Sequence, residues 1–302
     1  MIPATLAEAV QRLVTERERK SIRISASRTA RGGSINSAVH LECSNGMHLF
    51  LKYNDEAPAD MFQKEARGLQ LLASANSIRV PAVYYTTPAD APQQFLLLED
   101  VLAQGPERSS KSAFMSLGAG LAGVHRMTSH LYGLDQHNYL GPTRQPNNVS
   151  DNWASFFVEH RLQYILDLMA ERGCDQTELT VFRDFVPAVQ ELLDERIPEP
   201  PSLVHGDLWG GNVLHTRSRE PVLIDPALYY GDREVDIAMT RLFGGFSNEF
   251  YADYEAAYPL TEGWRERQDV YNLYHLLHHA LLFGGGYLTQ ASNIVKRYSR
   301  RT

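Results

Sequence analysis

The sequence predicts an α+β protein of two lobes, in which an antiparallel sheet with helices precedes a larger, mainly helical part. A chain of 302 residues can bury a large core and is long for one compact unit, so two lobes are expected. Alternating apolar residues and an Asn45-Gly46 hairpin signal mark the first part, whereas apolar residues recur at helical spacing from Ser110 onwards. We therefore place the lobes at residues 1–100 and 101–302.

The first lobe is expected to begin with a helix and to continue as antiparallel strands. Residues 5–8 fit a capping box, and apolar residues then recur at helical spacing to about residue 20. Residues 21–27 switch to a period of two, which resumes over residues 39–51 across the Asn45-Gly46 turn. At least three antiparallel strands are predicted here.

A glycine pair separates the first two of these strands. Gly32, Gly33 and Ser34 form either a plain hairpin connection or a flap whose backbone N–H groups lie over nucleotide phosphates. The spaced glycines of a kinase phosphate-binding loop are lacking, so the pair alone favours the hairpin connection.

Lys52 and Glu65 are the first candidate site residues. Lys52 lies on the face of the third strand opposite Leu49 and Leu51, where a lysine either reaches the surface or binds a phosphate. Glu65 lies on a core-facing stripe of the next predicted helix, residues 60–73. Since a glutamate on such a stripe needs a cation, we predict that it pairs with Lys52 and fixes the ammonium group against phosphates.

Two further strands, residues 83–87 and 95–99, complete the first lobe. Residues 95–98 form a continuous apolar run, which is typical of a strand buried on both faces. The run ends at Glu99-Asp100-Val101. This segment is either a plain strand end or a hinge whose backbone groups meet the edge of an adenine ring.

The second lobe is predicted to be helical, with an irregular connection over residues 132–150. Apolar residues at helical spacing predict helices that end near Arg126, Gly173, Pro198 and Phe246, and two more over residues 264–283 and 287–298.

The stretch from Leu203 to Ala227 carries the most informative pattern. It is predicted to form a strand, a tight polar loop, a second strand, a turn and a third strand. Asp207 follows the first strand, Asn212 comes five residues later, and Asp225 follows the third strand. An acid, an amide and a second acid in this order suit phosphoryl transfer from Mg-ATP, with one carboxylate as base and the other two groups on the metal.

The simpler interpretation of this stretch makes Asp207 an Asx-turn residue and Asp225 a cap for the next segment. A short loop with His, Gly and Asp is weak evidence by itself. The agreement of the three groups in order and spacing favours the catalytic interpretation.

Histidines elsewhere are interpreted as structural. His125, at the end of a predicted helix, is expected to be a satisfied core histidine. His275 and His279 share a helix face with Leu282, no acidic ligand follows at matching spacing, and HExxH is absent. Packing is therefore favoured over a metal site for these two and for His278.

Composition narrows the function classes. A net charge of −7 argues against a nucleic-acid partner. The two cysteines, Cys43 and Cys174, form no CxxC pair and are expected to be reduced. The chain start lacks a secretory signal, and no apolar run is long enough to cross a membrane. These features predict a cytoplasmic, monomeric enzyme without a membrane partner.

Taken together, these motifs resemble the protein-kinase-like superfamily and, within it, the fructosamine kinase (ketosamine-3-kinase) family. The resemblance spans nearly the whole chain. The specific motifs are HGDLWGGN at 205–212 and DPALYYGDREVDIAM at 225–239, while GGSIN at 32–36, FLKY at 50–53 and KEARGL at 64–69 add weaker support. Aminoglycoside and choline kinases share HGD, Asn and Asp, but usually lack this tryptophan and the YYGDRE continuation.

The resemblance implies a bilobal protein-kinase-like fold and roles for individual residues. Asp207 would be the catalytic base, and Asn212 and Asp225 would bind Mg²⁺. Lys52 would contact the phosphates of ATP, with Glu65 holding it. The remaining nucleotide contacts implied are the backbone of Gly32, Gly33 and Ser34 over the phosphates, and that of Glu99 and Val101 at the adenine.

The family implies phosphorylation of the 3-hydroxyl of a ketosamine, a sugar joined to an amine, followed by loss of the sugar fragment (deglycation). The ketosamine would be a small molecule or part of a protein. We expect the Trp209 ring either to pack on the sugar or to anchor the loop as a buried group. Asp232 and Arg233 are further candidate substrate contacts.

Three rival functions are weighed against this one. A protein kinase needs a long peptide-binding segment after its metal-binding acid, but helical spacing resumes within about ten residues of Asp225. An antibiotic phosphotransferase of the same fold would need an acidic pocket, which the net charge permits without requiring. A nucleotide-binding module without activity is disfavoured because the set of Lys52, Glu65, Asp207, Asn212 and Asp225 is complete.

Overall fold

The computed structural model describes residues 2–30, 36–103, 111–196 and 198–299. It confirms the predicted class, with one antiparallel sheet in the N-terminal part and mainly helices in the C-terminal part. The division at residue 100 stays a prediction. Gly32, Gly33 and Ser34 lie outside the described residues.

The N-terminal part contains a five-stranded antiparallel sheet with the order β1-β2-β3-β5-β4 and two helices. In chain order the elements are α1 (Ala4–Glu18), β1 (Ile24–Thr29), β2 (Ser37–Cys43), β3 (His48–Tyr53), α2 (Met61–Ala73), β4 (Val83–Thr86) and β5 (Phe95–Glu99). The predicted capping box at the start of α1 is wrong. Pro3 is the N-cap residue and makes no side-chain cap hydrogen bond, so Thr5 lies inside the helix.

The two faces of this sheet are covered by different helices. Leu49 and Leu51 of β3 pack in one cluster with α1, whereas Leu96 and Leu98 of β5 pack with α2 on the other face. The apolar run of β5 is therefore buried on both faces, as predicted. The same alternation turns Lys52 of β3 towards α2, because neighbouring side chains on a strand point to opposite faces.

In the described residues, the C-terminal part consists mainly of helices around three short strand pairs. Its elements are α3 (Lys111–His125), β6 (Asn138–Leu140), β7 (Thr143–Gln145), α4 (Trp153–Phe157), a π-helix (Val158–Gln163), α5 (Tyr164–Glu171), α6 (Gln176–Asp194), β8 (Ser202–Val204), β9 (Val213–His215), β10 (Pro221–Leu223), β11 (Tyr229–Gly231), α7 (Glu234–Leu242), α8 (Asn248–Ala257), α9 (Trp264–Phe283) and α10 (Tyr287–Tyr298).

Four of these elements were not predicted from the sequence. The stretch 132–150, predicted to be irregular, contains the hairpin β6–β7. β11 pairs with β8, and α8 fills a stretch that received no prediction. β6, β7 and β11 are three residues long, which is too short for an alternation to be recognised.

The predicted catalytic stretch has the expected layout. β8 leads into the polar loop, and β9 and β10 form an antiparallel hairpin in which Leu214 pairs with Val222. A single 3₁₀ turn, Gly210–Asn212, joins the loop to β9. β8 and β11 thus hold the beginning of the loop, while the hairpin holds Asn212 and Asp225 at its open end.

Candidate active site

The loop after β8 can be built only with glycine at its second position. Gly206 has φ +78°, and a Cβ atom there would lie 2.2 Å from the carbonyl oxygen of Ala227. The loop is held from beneath by Asp236 of α7, whose carboxylate accepts hydrogen bonds from the backbone N–H groups of His205 (2.6 Å) and Gly206 (2.9 Å). The residue that follows, Asp207, is therefore presented from a fixed backbone.

Asp236 is itself fully surrounded by protein. His125 Nε2 lies 3.1 Å from its carboxylate, and His125 Nδ1 lies 2.7 Å from the hydroxyl of Tyr254. Burial alone would raise the pKa of Asp236, but the contacts with His125 and His205 outweigh it and lower the pKa. A buried carboxylate thus stays charged under the loop. His125 is the satisfied structural histidine that the sequence predicted.

Asp207 and Asn212 are joined directly. The amide nitrogen of Asn212 donates to the backbone oxygen of Asp207 at 2.8 Å and to its carboxylate oxygen Oδ2 at 2.9 Å. Burial raises the pKa of Asp207 to about 7. The Asn212 hydrogen bond opposes this shift, and the charges of Asp225 and Asp236 add to it. A carboxylate with a pKa near neutrality is suited to accept a proton from an alcohol.

Asp225 completes the set from the end of β10. Its backbone has φ +54°, a left-handed conformation that aspartate tolerates better than most residues. The backbone N–H of Ile224 donates to the carbonyl of Asn212 at 3.1 Å, which ties Asp225 to the turn that carries the amide. Its side chain remains 45% exposed and faces the cleft.

Lys52 connects this site to the N-terminal sheet. Its Nζ atom lies 2.6 Å from Glu65 Oε1, the pairing that the sequence predicted, and 2.9 Å from Asp225 Oδ1. Burial opposes the charge on Lys52, but Asp225 and Glu65 outweigh it and raise its pKa. Burial also raises the pKa of Glu65, against the effect of Lys52. The lysine therefore stays charged beside two carboxylates.

All five of these side chains line one cleft of about 730 Å³, which lies between the sheet and the C-terminal helices. A smaller pocket of about 50 Å³ adjoins it and is lined by Glu99 and Val101, with Phe50 and Leu214 among the apolar residues around them. The side chain of Glu99 is paired with Arg79 and does not enter this pocket as a free charge. The lining of this pocket is mainly apolar, which suits an adenine ring.

The donors at the open end of the hairpin suit Mg²⁺. Asn212 uses its amide nitrogen for both hydrogen bonds to Asp207, so its oxygen is the atom left for a cation, and Asp225 adds a carboxylate. Oxygen donors of this kind are those that Mg²⁺ prefers, with phosphates and water completing the shell. In the described part of the chain, no three residues of the His, Cys, Asp and Glu types group as a metal site.

Trp209 follows Asp207 by two residues in the loop after β8. Its side chain lines the cleft and is 42% exposed. The indole covers Gly211 so closely that a Cβ atom there would lie 2.2 Å from its Cη2 atom. The ring is therefore seated on the loop with one part left accessible to a ligand.

Asp232 and Arg233 require a correction, because neither lines the cleft. The Asp232 carboxylate binds Arg196 at 2.7 Å and the hydroxyl of Tyr271 at 2.5 Å. Arg233 is 1% exposed and forms two hydrogen bonds to Glu199, at 2.9 and 3.2 Å. Both side chains are thus held by partners within the protein, away from the cleft.

Several cleft residues escaped the sequence reasoning. The C-terminal wall of the cleft is formed by side chains from the ends of α7, α9 and α10, namely Phe243, His278, His279, Leu282, Phe283 and Tyr287. His278 and His279 were predicted to be packing residues, and they do pack, but they also face the cleft. Only the spacing of His275 and His279 gave any signal, because the wall is assembled from three helix ends.

Helices that are long and apolar enough to span a membrane do not occur in the described ranges.

The chain is similar to known proteins over nearly its whole length. The sequence profile of a family described as fructosamine kinase matches residues 6–301. The chain is 40% identical to a probable ketoamine kinase of Synechocystis, over 97% of this chain and 97% of that protein. It is 35% identical to a chloroplastic protein-ribulosamine 3-kinase of Oryza sativa, over 99% of this chain and 86% of that protein.

A solved structure is similar over the same extent. The crystal structure of a candidate fructosamine-3-kinase from Haemophilus somnus superposes with a TM-score of 0.85 at 31% identity, and the match covers 95% of this chain and 96% of that one. This agreement confirms the kinase-like fold. The family profile, the related sequences and the structure all span nearly the whole chain, and the protein belongs to the fructosamine kinase family.

Proposed function

We propose that this protein is an ATP-dependent kinase that phosphorylates the 3-hydroxyl group of ketosamines. The observation that carries the proposal is the convergence of Lys52, Asp207, Asn212 and Asp225 on one cleft. A base, two metal donors and a phosphate-binding cation are the parts that phosphoryl transfer requires. The names of the related proteins support a ketosamine as the acceptor.

In this proposal Asp207 orients the acceptor hydroxyl and takes its proton as the oxygen attacks the γ-phosphorus of ATP. Asn212 and Asp225 hold Mg²⁺, which when bound neutralises charge on the phosphates and aligns them. Lys52 binds the α- and β-phosphates and is held there by Glu65. Backbone groups of Glu99 and Val101 meet the adenine in the smaller pocket, and Gly32, Gly33 and Ser34 cover the phosphates.

The Lys52 contact with Asp225 gives this proposal a specific consequence. The ammonium group lies 2.9 Å from the same carboxylate that is assigned to the metal. A divalent cation held by Asp225 would satisfy that carboxylate, so the Lys52 donor that it now receives would become free for a phosphate while the bond to Glu65 is kept. The nucleotide and its cation therefore bind more tightly together than either binds alone.

Trp209 is proposed to carry the sugar. An exposed part of its indole faces the cleft close to Asp207. Flat aromatic faces pack well on the C–H groups of a sugar. Phosphorylation at the 3-position yields an unstable product that releases the amine, so the net result is deglycation.

An aminoglycoside-type phosphotransferase is the main rival. Such an enzyme needs carboxylates around a polycationic acceptor. The acids among the described residues that line the cleft are Glu65, Asp207 and Asp225, and all three belong to the phosphate end. The opposite wall is apolar and aromatic, which favours the ketosamine.

The deciding experiment is a panel of acceptors with purified protein and Mg-ATP. The panel contains ribulose- and fructose-derived ketosamines of small amines, a peptide with a glycated lysine, an aminoglycoside and a generic protein-kinase peptide. ADP release is measured, and ³¹P NMR identifies the phosphorylated position. We expect turnover with ketosamines alone and a phosphate on the 3-oxygen. Faster turnover of the aminoglycoside, or phosphate at another position, would overturn the proposal.

A further inference from the structure

The C-terminal wall of the cleft contains an aromatic cluster to which the reaction above gives no role. We define the aromatic shelf as Phe243, His279, Phe283 and Tyr287. The ring of His279 is its centre, with ring centroids at 4.8 Å from Phe243, 5.7 Å from Phe283 and 5.2 Å from Tyr287. All four residues line the same cleft as Asp207.

The chain is shaped to bring these rings together. α9 ends at Phe283, and Gly284 and Gly285 follow with φ +62° and +67°, left-handed values that reverse the chain before Tyr287 begins α10. Both helix ends therefore place a ring beside His279. A turn of this kind is accessible mainly to glycine.

The shelf adjoins the loop that carries Trp209. Phe243 follows α7 and is continued by Gly244-Gly245. A Cβ atom on Gly245 would lie 3.5 Å from the Cα atom of Gly210, so this turn packs directly on the catalytic loop. The surface from the base through Trp209 to the shelf is thus continuous, and a ligand held at Asp207 extends onto it.

The shelf is apolar and accessible. Phe283 is 53% exposed and Phe243 is 37% exposed, although large apolar side chains usually avoid water. His279 Nδ1 lies 2.8 Å from the carbonyl oxygen of His275, which fixes Nδ1 as the protonated nitrogen of a neutral ring. The four side chains of the shelf therefore bring no formal charge to this end of the cleft.

We propose that the aromatic shelf binds the amine-derived part of the acceptor and selects ketosamines whose amine carries an aromatic group. The proposal rests on the kinase function above, because Asp207 and Trp209 hold the sugar and thereby direct the amine substituent outwards. The protonated secondary amine is attracted to the ring faces, and an aromatic substituent packs against Phe283. A small substituent such as a methyl group keeps the attraction of the amine but gains no aromatic contact.

The test compares two acceptors that share their sugar and their protonated amine. These are the ketosamines of benzylamine and of methylamine, made with whichever ketosugar the wild-type enzyme uses faster. The measured quantity is the ratio of their kcat/KM values. We expect a ratio of about 10 in the wild-type enzyme, and a fall of about tenfold in Phe283→Ala, since one aromatic pair contributes about that factor.

Val181→Ala is the matched control, because Val181 is 43% exposed on a helix and does not line the cleft. Its ratio should equal that of the wild type. Phe243→Leu is a second shelf variant, which removes the ring but keeps a branched apolar side chain, and it should lower the ratio in the same direction. Melting temperatures show whether each variant is folded.

The outcomes separate the two proposals. Equal ratios in the wild type and both shelf variants, with both acceptors still phosphorylated, would overturn the shelf and leave the kinase function standing. A preference for a glycated lysine in a peptide over the benzylamine compound would also overturn it. If neither ketosamine is phosphorylated, the proposed function fails first and the shelf fails with it.

Discussion

Two charge-rich regions of the chain look alike in sequence and differ in their surroundings. The cleft set consists of Lys52, Glu65, Asp207, Asn212 and Asp225. The buried network lies behind it in the C-terminal part and consists of Arg196, Glu199, Asp232, Arg233, Glu234, Arg267 and Tyr271. Both regions combine carboxylates with cations over short distances, but the first lines the cleft and the residues of the second do not.

The two regions differ in whether each charged side chain is fully paired with partners inside the protein. In the buried network, Glu234 receives two hydrogen bonds from Arg267, at 2.7 and 2.8 Å, and Arg233 is held by Glu199 and by the backbone oxygen of Tyr258 at 2.8 Å. In the cleft set, Asp225 keeps a side chain that is 45% exposed. Charges that are fully paired within the protein stabilise its architecture, whereas a charge left open to the cleft can engage a ligand.

Substitution of Asp207, the proposed proton acceptor in the cleft set, has the largest expected effect on activity. Asp207→Asn keeps the shape of the side chain and removes its ability to take a proton, so we expect kcat to fall by about 10²–10⁴-fold. The melting temperature and the affinity for ATP should stay near those of the wild type, because Asp207 is assigned no contact with the nucleotide. ADP-release kinetics, calorimetric ATP binding and a thermal melt measure the three quantities. Near-normal turnover would show that another group accepts the proton.

The buried network should respond in the opposite way. Arg233→Met removes a cation that is 1% exposed and that donates to Glu199 and to the backbone oxygens of Tyr258 and Pro259. Glu199 keeps Arg196 as a partner, but the buried acceptors lose their donors, so we expect the free energy of unfolding to fall by about 3–5 kcal/mol. Acceptor KM should change little at a temperature where the variant is folded. Urea unfolding and acceptor kinetics are the measurements.

Arg183→Met is the control for that variant, because Arg183 forms an exposed pair with Asp167 at 2.9 Å. An exposed pair contributes about 0–1 kcal/mol, so this variant should unfold almost like the wild type. If Arg233→Met were stable but had a much higher acceptor KM, the result would support the sequence-based expectation that Arg233 contacts the substrate.

The contrast between the regions also explains what the sequence could predict. Asp207, Asn212 and Asp225 lie within one hairpin, so their spacing alone predicted their proximity. Lys52 and Glu65 followed from the alternation of a strand and the stripe of a helix. These are local patterns, and local patterns determine which way a side chain faces.

Asp232 and Arg233 were wrongly expected at the substrate because their partners are distant in sequence. Glu199 lies 34 positions before Arg233, and Tyr271 lies 39 positions after Asp232. A short motif does not reveal which residues from distant parts of the chain will pair with it in the fold. The aromatic shelf was missed for the same reason. β6, β7 and β11 were missed because strands of three residues show no period and these three lack the apolar run that marks β8, β9 and β10.

Asp236 contacts the loop of the cleft set and lies on the same helix as part of the buried network. Its substitution should have an intermediate effect on both kcat and the free energy of unfolding. Its carboxylate supports the loop of Asp207, and it lies on the helix that the buried network anchors. In Asp236→Asn an amide NH₂ group faces an N–H donor, so we expect a loss of about 1.5–3 kcal/mol in unfolding free energy. If the looser loop also raises the activation free energy by about 1.4 kcal/mol, kcat should fall about tenfold.

Asp184→Asn, at an exposed position of α6, is the control and should change neither quantity. Loss of stability with an unchanged kcat would mean that the loop keeps its geometry without Asp236. The two regions would then be independent, and the connection through α7 would be without catalytic consequence.

The smallest effect concerns a third kind of ionisable group, a buried histidine without a charged partner. His278 lies in the cleft wall, 3% exposed, with Nε2 at 3.0 Å from Thr143 Oγ1. Burial lowers its pKa to about 3, and the neighbouring His279 and His275 add to the shift. The folded protein therefore holds this ring neutral at pH values where the unfolded chain, with an ordinary pKa near 6.5, binds a proton.

Because the unfolded state binds more protons below pH 6.5, stability falls as the pH falls from that value towards 3. Between about pH 7.5 and 5.5 this one group should cost about 1.4 kcal/mol. His278→Gln keeps a polar side chain and removes the titration, so its loss over that interval should be smaller than that of the wild type by this amount. Urea unfolding at both pH values measures it, with the exposed His130→Gln variant expected to match the wild type. An equal pH dependence in His278→Gln and the wild type would mean that the ring finds a compensating partner when protonated, and that the cleft wall, like the buried network, can satisfy a charge.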